Sequence, residues 1–172
     1  MPLDSKKTWN ACGEAFDRYT TAQDSFSENI ERPAIERLIG EVAGLRALDL
    51  GCGSGAYSIW LDGRGAQVTG LDLSATMLSL AQKRARELDA QADFCIADIN
   101  KPLPFANESF DIVLTATALH YVENLQDLMR EVARVMKRGA QFVASVLHPM
   151  STARFPACDD ETADIRWQSR RE

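Results

Sequence analysis

Two spacings of apolar residues alternate along the chain, one helical and one typical of buried strands. Proline suits a first helical turn because it has no amide hydrogen to leave unpaired. From Pro33 onward, Ile35, Leu38, Ile39 and Val42 recur on one helical face. Leu45 to Leu50 is a short, largely apolar run followed at once by glycines, which reads as a buried parallel strand entering a tight turn. Ala56 to Leu61 suits a helix and Gln67 to Leu71 a second strand. Ser74 predicts the N-cap of a helix carrying Met77, Leu78, Ala81, Ala85 and Leu88. Ala92 to Ala97 reads as a third strand and Phe110 to Ala116 as a fourth. Leu125, Leu128, Met129, Val132, Val135 and Met136 form a helical stripe. It closes on Lys137, Arg138 and Gly139, a basic last turn with a glycine stop. Gln141 to Leu147 is a fifth strand.

Strands alternating with helices predict an α/β chain, a three-layer α/β/α sandwich around a mainly parallel sheet. The pattern divides the sequence into three stretches. Residues 1–32 are a polar lead-in with sporadic aromatics (Trp9, Phe16, Tyr19, Phe26), irregular or partly helical. Residues 33–147 form the α/β domain. Residues 148–172 are a tail with Pro149, Pro156, the acidic cluster Asp159, Asp160 and Glu161, and no further convincing strand.

Composition narrows the classes of function. The 172 residues fit one domain with a sizeable core. A formal net charge of -6 argues against a general nucleic-acid binder. Cys12, Cys52, Cys95 and Cys158 are scattered, with no Cys-x-x-Cys pair, which argues against a zinc or other metal site and against a secreted disulfide framework. No run is apolar for long enough to span a bilayer, and the opening residues lack the apolar core of a signal peptide. No membrane partner is expected, and the cytoplasm is the expected compartment.

The chemistry concentrates at Leu48-Asp49-Leu50-Gly51-Cys52-Gly53-Ser54-Gly55, a strand running straight into a glycine-rich turn. Gly51 and Gly53 permit backbone torsions closed to other residues and a close ligand approach. Asp72 ends the second strand, about twenty residues on, where a carboxylate can accept both hydroxyls of a ribose or merely cap a helix. These features alone fit a nicotinamide dinucleotide or an adenosyl cofactor equally, since Gly51, Gly53 and Ala56 also satisfy the dinucleotide fingerprint in its Gly/Ala form.

Family resemblance separates the two. Asp49-x-Gly51-x-Gly53-x-Gly55 resembles the first motif of the class I S-adenosylmethionine-dependent methyltransferases, with an acidic residue two before the first glycine. Ala97-Asp98-Ile99 is similar to that family's third-strand end. Leu103-Pro104-Phe105 and Glu108-Ser109-Phe110-Asp111-Ile112-Val113 resemble its run into strand four. Ala118-Leu119-His120-Tyr121-Val122 and Arg134-Val135-Met136-Lys137-Arg138-Gly139 resemble the segments after it. The motifs stand in the family's order across residues 33–147, and the small-molecule enzymes of the ubiquinone and menaquinone biosynthesis type are the most similar in appearance.

The resemblance implies a Rossmann-like fold, S-adenosylmethionine as cofactor, S-adenosylhomocysteine as product, and methyl transfer to a small-molecule acceptor. The cofactor would lie across Asp49 to Gly55, with Gly51 and Gly53 facing its methionine part and Asp49 orienting its amino group indirectly. Asp72 would hold the ribose hydroxyls, and Leu73 or Met77 would pack on the nucleoside. Asp98 would accept from the adenine amine beside the Ile99 amide, Thr115 would lie near the methionine end, and Tyr19 would reach over the cofactor. Methyl transfer from a sulfonium needs orientation more than a nucleophile or metal. If the acceptor must lose a proton, His120 is the candidate base; packing or hydrogen bonding alone is the alternative. His148 reads as structural or a rim contact, and Lys83, Arg84 and Arg86 as a solvated helix face.

Complete family members continue with two more strands, the last antiparallel. The tail supplies neither, so five strands are expected and the usual last two are missing. Two rival functions follow: a truncated or non-catalytic chain that binds S-adenosylmethionine or S-adenosylhomocysteine, and a nicotinamide-dependent oxidoreductase. The fifth strand carries no charge or proline to blunt an open edge, which predicts either a homo-oligomer formed through it or cover by residues 148–172, with self-association favoured because two prolines and an acidic cluster suit strand pairing poorly.

Overall fold

β1 (Arg46–Leu50) is buried from Ala47 onward, because the sheet is covered on both faces. Its side chains alternate between two cores, as a period of two requires. Ala47 joins Ile35, Ile39, Leu61, Ile112 and Val143 on one face. Leu48 and Leu50 join Leu71, Val113, Leu128, Val132 and Val135 on the other. The computed structural model describes residues 5–22 and 25–147.

The other strands are β2 (Gln67–Asp72), β3 (Asp93–Ile96), β4 (Phe110–Ala116) and β5 (Met136–Ser145). They form one five-stranded sheet in the order β3-β2-β1-β4-β5 with every pair parallel. This is the expected Rossmann-like α/β/α architecture. The order runs outward from β1 to β3, then returns to β4 on the other side of β1. Such a reversal opens a crevice at the carboxyl ends of the central strands, where ligands bind in open α/β sheets.

Among the described residues five α-helices complete the layers: α1 (Ser5–Thr20), α2 (Arg32–Ile39), α3 (Ala56–Asp62), α4 (Ala75–Glu87) and α5 (Leu125–Val135). Ser74 caps α4 as expected, accepting from the Met77 amide at 3.2 Å.

Four expectations need correction. The lead-in is mostly helical: α1 packs on α4, and a π-helical segment, Ser27–Glu31, runs directly into α2, whose first turn holds Pro33 as expected. α5 ends at Val135, and Lys137, Arg138 and Gly139 belong to β5 instead of a basic last turn. There a register shift lies between Phe110 and Ile112 of β4, and Lys137 reaches the Asp111 carboxylate at 2.8 Å. An ion pair and a sheet irregularity had the same local spelling as a helix stop. Leu88 is the C-cap of α4 and is exposed, outside that helix's buried stripe. Cys12 is disulfide-bonded, which the scattered cysteines did not lead us to expect, while Cys52 and Cys95 are free thiols. His148 and the acidic tail cluster lie outside the described residues.

Candidate functional site

The glycine turn sits at the reversal of strand order. Gly51 has a φ of 72°, and a Cβ there would come within 2.6 Å of the Ala118 methyl, so the turn after β1 and the loop after β4 meet only because this side chain is absent. The turn's amides are directed inward. Those of Gly51 and Cys52 donate to Leu71 O at 2.7 and 2.9 Å, that of Gly53 to Asp72 Oδ2 at 2.9 Å, and that of Gly55 to Cys52 O at 2.9 Å. A pyrophosphate cradle needs such amides free for the anion. Here the amides of Gly51, Cys52, Gly53 and Gly55 are spent on the protein.

Carboxylates surround the turn. Asp49 is 1% exposed and accepts from Ser58 Oγ at 2.7 Å. Burial pushes its pKa up to about 7, with the Ser58 hydrogen bond opposing and the Asp72 charge adding to the shift. Asp72 accepts from the Gly53 amide on one oxygen and from the Ser74 amide at 2.8 Å on the other, so it braces the turn against the start of α4. Burial raises its pKa while those amides oppose the rise. A carboxylate offers about four acceptor positions, so both the capping and the ligand-binding readings of Asp72 fit. Leu73 is half-buried and Met77 buried, with the Met77 methyl 3.2 Å from where a Gly53 side chain would begin.

The neighbouring strand end brings in Asp98. The Ala97 amide donates to Asp72 O at 3.1 Å, which ties the exits of β2 and β3 together. Asp98 Oδ1 accepts from the Asn100 amide at 2.9 Å, and Ile99 packs on the core beneath α5. On the other side, Thr115 is fully buried and its hydroxyl has no hydrogen-bond partner. His120 lies in a short 3-10 turn, Leu119–Tyr121, with its ring centroid 4.2 Å from that of Tyr121. Burial lowers its pKa, which favours the neutral imidazole.

α1 lies against this edge, and here sequence reasoning missed residues. Arg84 is not part of a solvated face: it donates to both Asp17 oxygens at 2.8 and 3.0 Å and to Ser54 O and Oγ at 3.0 and 2.8 Å. Lys83 does remain exposed, 3.9 Å from Glu87. Asn10 Oδ1 accepts from Ser74 Oγ at 2.8 Å, and the Trp9 ring meets that of Tyr121 edge-on at 5.5 Å. Tyr19 lies half-buried near the end of the same helix. The pairs Asn10–Ser74 and Asp17–Arg84 are more than sixty residues apart, beyond any periodic signal. Among the described residues no cluster of potential metal ligands occurs and no helix is long and apolar enough to cross a membrane.

A doubly wound parallel sheet with a glycine turn at its reversal and carboxylates on adjoining strand ends defines a Rossmann-like, nucleoside-binding class of protein. Comparison with known proteins narrows this. Residues 48–144 match the family described as methyltransferase domain, which is more than half of the chain; the chain belongs to that family. A demethylmenaquinone methyltransferase of Tropheryma whipplei is 33% identical over 138 residues, covering 80% of this chain and 56% of its own. A malonyl-[acyl-carrier protein] O-methyltransferase of Erwinia pyrifoliae is 36% identical over 150 residues, covering 86% and 54%. The crystal structure of an S-adenosylmethionine dependent methyltransferase from Mesorhizobium loti aligns with a TM-score of 0.64 and 42% identity over 70% of this chain and 55% of that one. The chain thus spans about half the length of the relatives it matches.

Proposed function

We propose that the chain binds S-adenosylmethionine along the carboxyl edge of its sheet and transfers the methyl group to a small-molecule acceptor. The observation that carries this reading is the polarity of the edge. Four turn amides, those of Gly51, Cys52, Gly53 and Gly55, are consumed internally, and the Asp72 carboxylate stands beside them at the strand end. The guanidinium that reaches the turn, Arg84, is already held by Asp17. Such an edge suits hydroxyls and positive charge and disfavours a dinucleotide.

When bound, S-adenosylmethionine supplies a methyl sulfonium, an already activated electrophile, so orientation can provide most of the catalysis. In this reading Asp72 takes the ribose hydroxyls, Asp98 the adenine amine with Ile99 beside it, and Leu73 and Met77 the nucleoside faces. Asp49, Gly51, Gly53 and Gly55 shape the methionine end, the unpartnered Thr115 hydroxyl adjoins it, and Tyr19 covers it. His120, kept neutral by burial, takes the acceptor's proton where one must leave.

Calorimetric titration with S-adenosylhomocysteine and with NAD tests the cofactor, and tight NAD binding would defeat the proposal. Transfer of a labelled methyl group across a metabolite panel tests the chemistry; cofactor binding with no transfer would leave a binding protein. We further propose that copies associate through β5, whose far side pairs with no strand among the described residues.

A further inference from the structure

Glu31 closes the π-helical segment and is only 7% exposed. π-helical turns frequently accompany functional sites. One carboxylate oxygen accepts from the Ser145 hydroxyl at the end of β5. Ser145 Oγ in turn accepts from the Thr117 amide at 3.1 Å. Thr117 is held at a φ of 52°, a left-handed conformation unfavourable for a β-branched residue. Burial foremost, and then the Glu31 charge, raise the pKa of the buried Tyr57 hydroxyl, with a hydrogen bond to Glu31 adding to the rise, and keep it a proton donor.

No cation is paired with Glu31 among the described residues. The adjacent Arg32 donates to both Glu28 oxygens at 2.9 and 2.7 Å and lies over the Tyr57 ring at 5.2 Å. A buried carboxylate without a counter-charge is unfavourable, and with about four acceptor positions it has capacity for a ligand beyond Ser145 and Tyr57.

Register fixes where this carboxylate stands. Asp49 pairs with Leu114 and Ala116 with Ser145. Ser145 is therefore level with Gly51 and two strands away, about 10 Å along the edge at the usual strand spacing. Asp72 and Asp98 lie on the opposite side of Gly51, at the exits of β2 and β3. A ligand whose nucleoside is held there directs its other end toward β4 and β5, the side on which Glu31 stands.

We infer that Glu31 is an acceptor-binding residue and that the acceptor presents a proton-bearing nucleophile, a hydroxyl or an amine, instead of a carboxylate. The inference rests on the methyl-transfer reading. Glu31 takes a hydrogen bond from the nucleophile, Ser145 and the strained Thr117 fix the carboxylate, and an anionic acceptor is repelled.

The test is probe binding to the whole chain, free and saturated with S-adenosylhomocysteine, followed by calorimetry. The probes are hydroquinone, phenethylamine and monomethyl malonate. The hydroxyl or amine probe should bind about tenfold or more tightly than the carboxylate probe. Glu31→Gln, which keeps an acceptor for Ser145, should abolish that preference and leave S-adenosylhomocysteine affinity unchanged. Ser145→Ala, which releases the carboxylate that Ser145 fixes, should weaken the preference, so the test survives if Glu31→Gln folds poorly. Equal binding or no binding of the three probes, or an unaltered preference in Glu31→Gln, overturns the inference, as does a parallel loss of S-adenosylhomocysteine affinity. Failure of the unmodified chain to bind S-adenosylhomocysteine defeats the cofactor reading and is registered separately, because probe preference is also measured without it.

Discussion

Burial carries the Asp49 pKa from an ordinary 3.8 up to about 7, against the Ser58 hydrogen bond and with help from Asp72. The folded chain therefore holds a proton that the unfolded chain has lost between these values. Stability is greatest below the unfolded pKa, falls as pH rises through the folded one, and levels off above it, a total change on the order of a few kcal/mol. Asp49→Asn can still accept from Ser58, so urea unfolding at pH 5 and pH 8 should show a stability drop in the wild type and little in the variant. Equal drops in both would remove Asp49 as the cause. Asp72→Ala should weaken S-adenosylhomocysteine binding by about 2 to 3 kcal/mol. It should also cost about 1 kcal/mol of stability, because the carboxylate braces the Gly53 and Ser74 amides. Calorimetric affinity within twofold of wild type would end the ribose assignment. If His120 is the base, His120→Ala should slow transfer roughly 100-fold while cofactor affinity holds; a small change with the same pH profile would make it a packing residue. The positions of Asp72, at the end of β2, and of His120, beyond β4, were legible because each stands near a strand end within a motif. Glu31 was not, since it stood at the end of a segment whose helical order depends on packing.

At the scale of elements, α1 is fastened to α4 and to the glycine turn by one side chain. Arg84 joins Asp17 through two hydrogen bonds and Ser54 through two more, and both ionised partners are largely shielded from solvent. A double-mutant cycle over Asp17→Ala and Arg84→Ala, read by urea unfolding, should give a coupling energy of about 1 to 2 kcal/mol. Coupling near zero would mean that α1 is held by its other contacts. The closeness of the two helices has a steric source as well, for a side chain at Gly13 would begin 3.0 Å from Met77 Sδ. None of this shows in the lead-in sequence, where polar residues with scattered aromatics resemble a loop. The same limit explains the exchanged identity of residues 136–139. A basic pair and a glycine end many helices, and it is pairing with β4, Phe110 with Met136 and Ile112 with Gln141, that makes them strand.

For the whole molecule, the terminal position of β5 has a physical consequence. Its outer backbone groups have no strand partner among the described residues, and Val146 just beyond it and Leu38 on α2 are exposed apolar side chains. Such an edge recruits strands, so light scattering should show association of the 172-residue chain, with the outer amides of β5 protected in hydrogen exchange. A monodisperse monomer whose outer β5 amides exchange fast would refute this. The layered α/β architecture, the glycine turn, and the aspartates at the strand ends were determined by the sequence itself. They depend on local periodicity and on short motifs in which neighbouring residues act together. Tertiary structure alone decided that the turn amides face inward, that Arg84 is a clasp, and that Glu31 is buried beside β5. Those outcomes join residues far apart in the chain, and a buried charge or a spent amide exists only once the strands and helices have packed.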